Sequence, residues 1–519
     1  MSITKRIAFG AAASCFSRGV TILLGLVLMP VLFRHLPKEE LGVWMLLGQT
    51  WSVMGILDLG LSFTLTRRIA LAKGKSGGDP NVPLTEETRH EIADLVESGR
   101  RIYHWLALVT LIISSVAGYF YLRQLHFTAL SLPVAMLAWG ILCLSQSFGL
   151  WAQVWNCLLL GVGYVGWDAI LSSIISTLTL VFQIIALFLG GGLIALATVA
   201  AVGAVSQRYL LLGFARNRRP ELFKIRGHWN APVIRSMVSP SLRAWLTGIG
   251  LVIVLNTDQF FIASLKGVAQ IPAYRAAYLV LFNLTMMAAM SGLVSAVFVS
   301  HLWQSGEVAE VHRLLLRNLR FGLGIMAAGG ACVLVLGHRL FDVWLGPGNF
   351  IGYPILGIFF VIQFFETQCS IITSSSRATE DEAFTVFALV AGVLKLVLAA
   401  VLGVRFGLAG IASATLIAQL VTNYWYMVFR GFARLQISFK KYLLTVVLPV
   451  AALFMAVAVA VWLVIAGMMI LTGWAALLSG GAVAGLIFGV FIWFVVLEPN
   501  HRTRLTVWCS RWVLAYCHR

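Results

Sequence analysis

The sequence carries little charge: Asp, Glu, Lys and Arg make up only 11% of its 519 residues, against roughly a quarter in soluble domains. A soluble globular protein, a disordered chain and a repeat solenoid are excluded, because each needs a polar surface that this composition cannot supply. Cysteine is sparse as well. The seven are scattered and no pair has CxxC spacing, so neither a zinc site nor a disulfide framework is expected. Walker P-loop, HExxH, GxSxG and Rossmann GxGxxG motifs are all missing. Their absence removes the usual signatures of ATP hydrolysis, zinc proteolysis, serine esterases and dinucleotide chemistry. No cofactor and no metal are expected, and the chain is read as a non-enzyme. Acids are scarce relative to bases, 20 Asp and Glu against 38 Lys and Arg, giving a net charge of +18. In a membrane protein that excess points to cytoplasmic loops and anionic lipid, not to nucleic acid.

What the chain has is apolar sequence: 60% hydrophobic residues and a mean hydropathy of +0.91. A bilayer core of about 30 Å takes about 20 apolar helical residues. That window predicts fourteen spans, at 7–33, 41–66, 102–122, 132–156, 167–189, 193–215, 237–265, 276–300, 319–337, 350–376, 384–404, 408–429, 442–466 and 474–497. Helices are expected throughout, since hydrocarbon cannot satisfy an open backbone, and the short alternating segments of an outer-membrane barrel are absent. The predicted fold class is therefore an all-α polytopic membrane protein of about 14 transmembrane helices. Ala12-Ala13-Ser14-Cys15 faintly resembles a lipoprotein cleavage site. The apolar run resumes at once and is too long for a signal peptide, so it is read as a span.

Counting Lys and Arg by loop orients the chain. With the N-terminus inside, the cytoplasmic loops and tails hold 27, the opposite loops hold 7 and the spans hold 4. This bias predicts two cytoplasmic termini in a bacterial inner membrane. The longest loop, 67–101, is then inside, and helix is expected around Glu86–Glu97. Every outside connection is short, which argues against polytopic glycan-assembly enzymes with an external catalytic domain. In the C-terminal tail, 498–519, Leu505, Trp508, Trp512 and Tyr516 approach helical spacing beside Arg504 and Arg511, as in an interfacial helix on the cytoplasmic leaflet.

A weak internal repeat divides the chain. Ser14-x-x-x-Arg18 in the first span matches Ser239-x-x-x-Arg243 in the seventh. The pattern predicts two six-helix lobes: an N-lobe at 1–215 and a C-lobe at 236–430. A basic, hinge-like linker at 216–235 joins them, and two extra helices lie within 431–497. Paired six-helix lobes are transporter architecture, with the substrate site between halves.

Ionisable residues deep in apolar spans are the candidate functional groups. Arg18 lies eleven residues into its span, about 16 Å along the axis, which is too deep to snorkel. Lys395 is similarly deep, and Arg243 lies nearer the cytoplasmic end. These three are the candidate cavity cations. Asp258, Glu366 and Asp58 are candidate ion-coupling or structural acids. Asp58 has Arg67 or Arg68 as expected partners, and Glu366 has Lys395. Polar stripes at helical spacing suggest glycan contacts: Gln146, Gln153 and Asn156 in the fourth span, Gln363 with Glu366 in the tenth, and Gln419, Asn423 and Tyr426 in the twelfth. Such residues also make interhelical hydrogen bonds.

The stretch from Leu36 to Ala70 resembles the second-span signature of polysaccharide transporters. It contains Leu36-Pro37, Gly42-Val43-Trp44 and Leu57-Asp58-Leu59-Gly60-Leu61. These transporters are the Wzx-type flippases for lipid-linked oligosaccharides, in the superfamily that also holds multidrug exporters and the peptidoglycan-precursor flippase. Asn256-Thr257-Asp258-Gln259, followed by Gly267 and Tyr274, is similar too. The resemblance spans about residues 7–430 and leaves 442–497 without a counterpart in twelve-span relatives. It implies outward translocation of a polyprenyl-diphosphate-linked oligosaccharide, such as an O-antigen, capsule or exopolysaccharide unit. It also implies membrane lipids as partners, with H+ or Na+ and other glycan-assembly proteins as further candidates. By position, Arg18 and Arg243 resemble the relatives' cavity cations; Lys395 has no clear match. A multidrug or cation antiporter of the same superfamily and a polytopic glycan-assembly enzyme are the rival readings.

Overall fold

Every regular element among the described residues is helical. The structure, a computed structural model, describes residues 3–76, 83–225, 227–379, 385–467, 473–497 and 502. The side chains of 3–15 and of several other helical residues, Arg18 and Arg243 included, lie outside the description. So does the tail from 503 onward, with the expected interfacial helix.

In chain order the helices are α1 (Ile3–His35), α2 (Lys38–Met54), α3 (Leu61–Lys75), α4 (Glu86–Gln124), α5 (Leu132–Trp151), α6 (Gln153–Val162), α7 (Val165–Phe188) and α8 (Leu193–Arg218). They continue as α9 (Pro220–Lys224), α10 (Ala231–Asn256), α11 (Asp258–Lys266), α12 (Ile271–Gln304), α13 (Val308–Leu345), α14 (Tyr353–Arg377) and α15 (Thr385–Gln419). The last are α16 (Trp425–Arg434), α17 (Phe439–Tyr442), α18 (Leu448–Gly467) and α19 (Trp474–Phe491). Eleven helices among the described residues are long and apolar enough to cross a membrane.

The expected fourteen differs from that number in three places. The first span is described as an apolar helix only from Gly19 to His35. The second is broken into α2 and α3. The eleventh and twelfth run together as Thr385–Arg434, interrupted at Gly407 by φ 62 and ψ −137, a conformation that glycine alone adopts readily. The fourth and seventh spans are also interrupted, at Ala152 and at Thr257.

The signature around residues 36–61 has a physical explanation. Glu39 is buried, and its carboxylate accepts from the backbone N–H groups of Thr128, Ala129 and Leu130 at 2.7, 2.5 and 3.0 Å. Burial pushes its pKa up, but these donors outweigh it and hold the group below the usual carboxylate range. Glu40 accepts from the N–H of Leu193 at the start of α8, where an anion suits the helix dipole. Two adjacent acids thus tie the start of α2 to two other segments. A methyl added at Gly42 would sit 2.0 Å from the carbonyl oxygen of Val268, so only glycine permits that backbone approach. Further on, Gly55–Asp58 forms a 3₁₀ turn, and Leu59 and Gly60 take φ 54 and 69. Asp58 then caps α3 by accepting from Ser62 N at 3.1 Å and Ser62 Oγ at 2.8 Å.

The acidic stretch expected to be helical begins α4. Thr85 caps it by accepting from Thr88 N, and the same helix continues into the third span. The connector at 216–235, read as hinge-like, is docked on α4. His228 N donates to Asp94 at 2.7 Å and Asn230 N to Ser98 Oγ at 3.2 Å.

By packing, the chain groups into two units, residues 1–275 with 385–418, and residues 276–384 with 419–519. The first has a core of Leu65, Ile69, Tyr103, Val154 and Leu159 from α3, α4 and α6. The second is built on α13, whose Leu315, Leu319 and Leu323 share a core with Val457 and Val461 of α18 and Phe491 of α19. The C-terminal helices are therefore integral to the second unit: a methyl on Gly324 would meet Phe491 at 2.9 Å.

Candidate functional site

Breaking the seventh span at Thr257 places Asp258 at the first turn of α11, where helix N–H groups favour a carboxylate. At the break the Thr257 hydroxyl donates to the carbonyl of Ile253 at 2.7 Å, and both oxygens meet Lys395 of α15. Lys395, fully buried with a side-chain exposure of 0%, fills that space. Its Nζ lies 2.7 Å from Asp258 Oδ1, donates to Thr257 Oγ1 and to Ile253 O at 3.5 Å, and sits 5.8 Å from the centre of the Phe261 ring. The other Asp258 oxygen accepts from Tyr274 Oη at 2.7 Å, and Thr415 Oγ1 donates to Oδ1 at 3.3 Å. Lys395 is thus a neutralised cation in a closed oxygen cage. Its expected partner, Glu366, is replaced by Asp258, which the sequence places far away and only the break at Thr257 brings near. The neighbouring Asn256 accepts from Gln49, and Gln259 donates to Gln49 Oε1 at 3.3 Å. The whole Asn256–Gln259 motif is therefore occupied in packing α10 and α11 within the first unit.

A second cluster lies around the turn at Asp58. Tyr103 Oη donates to Asp58 Oδ1 at 3.0 Å and lies 2.8 Å from Ser62 Oγ. Gln153 donates to Ser62 Oγ at 3.1 Å, and Asn156 to Asp168 Oδ1 at 2.8 Å. Arg208 of α8 interacts electrostatically with both Asp168 and Asp58, without a direct hydrogen bond to either among the described residues. The expected pairing of Asp58 with Arg67 or Arg68 does not form. The α3 cap turns Asp58 inward, and Arg68 donates to Ser236 Oγ at 2.8 Å. Tyr103, Asp168 and Arg208 escaped the sequence reading. Arg208 carried the signal that marked Lys395, a cation deep in an apolar run.

In the second unit, Gln363 is completely buried, and neither side-chain polar atom finds a partner among the described residues. Glu366, one turn on, is half-buried and close enough to Tyr424 to interact electrostatically. The twelfth-span stripe is partly self-satisfied: Asn423 donates to Gln419 at 2.7 Å across the π-helical turn Leu420–Tyr424. Tyr426 is half-buried. Of the glycan-contact candidates, Gln153 and Asn156 therefore spend hydrogen bonds on neighbouring helices and Gln419 and Asn423 on each other, whereas the side chains of Gln146 and Gln363 have no such partner among the described residues. Arg18 and Arg243 fall on α1 and α10, with side chains outside the described part. No group of His, Cys, Asp or Glu suited to a metal ion occurs among the described residues.

Helices long and apolar enough to cross a membrane, several of them interrupted partway, define a polytopic α-helical membrane fold. The chain is similar to the lipid II flippase MurJ in an inward closed conformation, with a TM-score of 0.69 at 15% identity over 93% of this chain and 97% of that one. It is also similar to an inward-facing multidrug resistance MATE family transporter of the MOP superfamily (0.62, 15%, 82% and 99%). A MOP superfamily transporter from Pyrococcus furiosus shares the fold as well (0.57, 14%, 84% and 97%). Residues 8–299 match the polysaccharide biosynthesis protein family, and the chain belongs to that family. No curated protein matches it.

Proposed function

We propose that the protein moves a polyprenyl-diphosphate-linked oligosaccharide from the cytoplasmic to the periplasmic leaflet of a bacterial inner membrane by alternating access. The carrying observation is membership of a polysaccharide biosynthesis family on the fold of a lipid II flippase. The physical obstacle is the diphosphate, whose bare burial would cost tens of kcal/mol. Cations in a hydrated passage remove most of that cost. Arg18 and Arg243 are the proposed phosphate-binding cations; Lys395 leaves that set, because Asp258 already neutralises it. An inside-negative potential favours outward movement by roughly 4–5 kcal/mol for a dianion at roughly 100 mV. Coupling to H+ or Na+ is not required energetically. Asp58 and Glu366 are the remaining coupling candidates, since both oxygens of Asp258 are engaged.

The multidrug antiporter reading is favoured by the likeness to a MATE transporter and disfavoured by arginines deep in the spans. Depleting the protein in its host separates the two. Lipid-linked oligosaccharide accumulating inside, with drug sensitivity unchanged, is the expected result. Hypersensitivity to cationic drugs with normal glycan export overturns the proposal.

Orientation has its own test. The 27 to 7 distribution of Lys and Arg places loop 67–101 and the C-terminus in the cytoplasm. Reporter fusions at residue 80 and after Arg519 should be active only as cytoplasmic reporters. A periplasmic signal at either point contradicts this topology.

A further inference from the structure

A groove in the second unit is lined by none of the residues proposed above for translocation. α12 and α13 diverge from the turn at Gly306, whose φ is +77, and enclose a groove of about 710 Å³. One wall is the apolar stripe Met290, Val294, Phe298 and Leu302 at four-residue steps along α12. The opposite wall is α13, which presents Arg313 and Arg317 one turn apart. Between them the walls are tied by Asn318 donating to Ser295 Oγ at 2.6 Å. Arg313 is already held by Glu310 at 2.5 Å. Arg317 has neither acid nor carbonyl partner among the described residues, although it lines the groove. Phe298 is 61% exposed.

An unpaired guanidinium facing a strip of exposed apolar side chains fits one ligand chemistry. We infer that this groove binds a phosphate ester of a long-chain lipid, with the phosphate on Arg317 and the chain along Met290 to Phe298. Guanidinium donates paired hydrogen bonds to phosphate oxygens and stays charged beside hydrocarbon. Arg313 shares its charge with Glu310 and so contributes less. By the Lys and Arg distribution this end of α12 and α13 is cytoplasmic, the leaflet where the proposed substrate is assembled. The same chemistry is offered by the polyprenyl phosphate carrier and by bulk anionic phospholipid. The inference rests on the flippase reading only for the first of these sources.

Thermophoresis of the purified full chain in detergent micelles tests the site, with decaprenyl phosphate, geranyl phosphate, phosphatidylglycerol and phosphatidylcholine as probes. Arg317→Gln should weaken decaprenyl phosphate or phosphatidylglycerol at least tenfold at an unchanged melting temperature. Arg313→Gln should weaken it less. Phe298→Ser should abolish the preference for decaprenyl over geranyl phosphate. Decaprenyl phosphate binding well ahead of phosphatidylglycerol assigns the groove to the carrier, and equal binding assigns it to anionic lipid; either supports the site. Wild-type affinity in the Arg313→Gln, Arg317→Gln double variant, or phosphatidylcholine binding as tightly as phosphatidylglycerol, overturns it. A protein that binds these probes yet moves no lipid-linked oligosaccharide would sink the flippase reading and leave the groove intact.

Discussion

Lys395→Met should destabilise the protein by about 3–5 kcal/mol, because it strands the Asp258 carboxylate in a buried site. Asp258→Asn should cost a similar amount by leaving the ammonium without its counter-charge. Combining the two removes both charges, so the double variant should recover most of the loss. The geometry behind this is direct. Lys395 is fully buried, 2.7 Å from Asp258, and the acid's remaining oxygen is taken by Tyr274. Melting temperature and membrane abundance, read for the two single variants and the pair, check the prediction. If Lys395 instead received the substrate's phosphate, Lys395→Met would lose export at unchanged stability and Asp258→Asn would not rescue it.

The largest effect on transport is expected at Arg18. The residue lies about 16 Å into its expected span, recurs as Arg243 in the repeat, and would meet a diphosphate. Arginine binds phosphate with two parallel hydrogen bonds, lysine keeps the charge without the fork, and alanine keeps neither. Arg18→Ala should abolish glycan export while the protein still accumulates in the membrane. Arg18→Lys should be intermediate, and Arg243→Ala impaired in the same direction. A packing role for Arg18 would show itself differently, as lower abundance and melting temperature. Complementation with membrane abundance measured in parallel separates the two.

The helical class and most of the spans were legible, because a twenty-residue apolar run has few alternatives in lipid. The breaks were less so. Nothing in the hydropathy of 237–265 marks Thr257 as the point where the helix ends, yet that break creates the Lys395 cage. Lys395 itself was legible as a deep cation. Its partner was not, since depth along one span says nothing about which neighbour faces it. Asp58 was misassigned to the arginines after it because proximity in sequence was taken for proximity in space. The αL turn at Leu59 and Gly60 turns it toward Tyr103 instead. The fourth-span stripe is divided by the break at Ala152, and periodicity cannot distinguish an amide that meets a ligand from one that meets a neighbouring side chain. Gln419 and Asn423 bond each other, whereas Gln363 remains without a partner among the described residues.

The claim that matters most is outward movement of a lipid-linked oligosaccharide, and proteoliposomes test it most directly. Purified protein is reconstituted with a fluorescent polyprenyl-diphosphate oligosaccharide, and the fraction reachable by an external glycosidase is followed under an imposed potential. The expected result is exchange between leaflets well above protein-free liposomes, faster with the potential directed to drive anions outward, and abolished by Arg18→Ala. Exchange no faster than in empty liposomes, with uptake of a cationic dye against a proton gradient in the same vesicles, would contradict it.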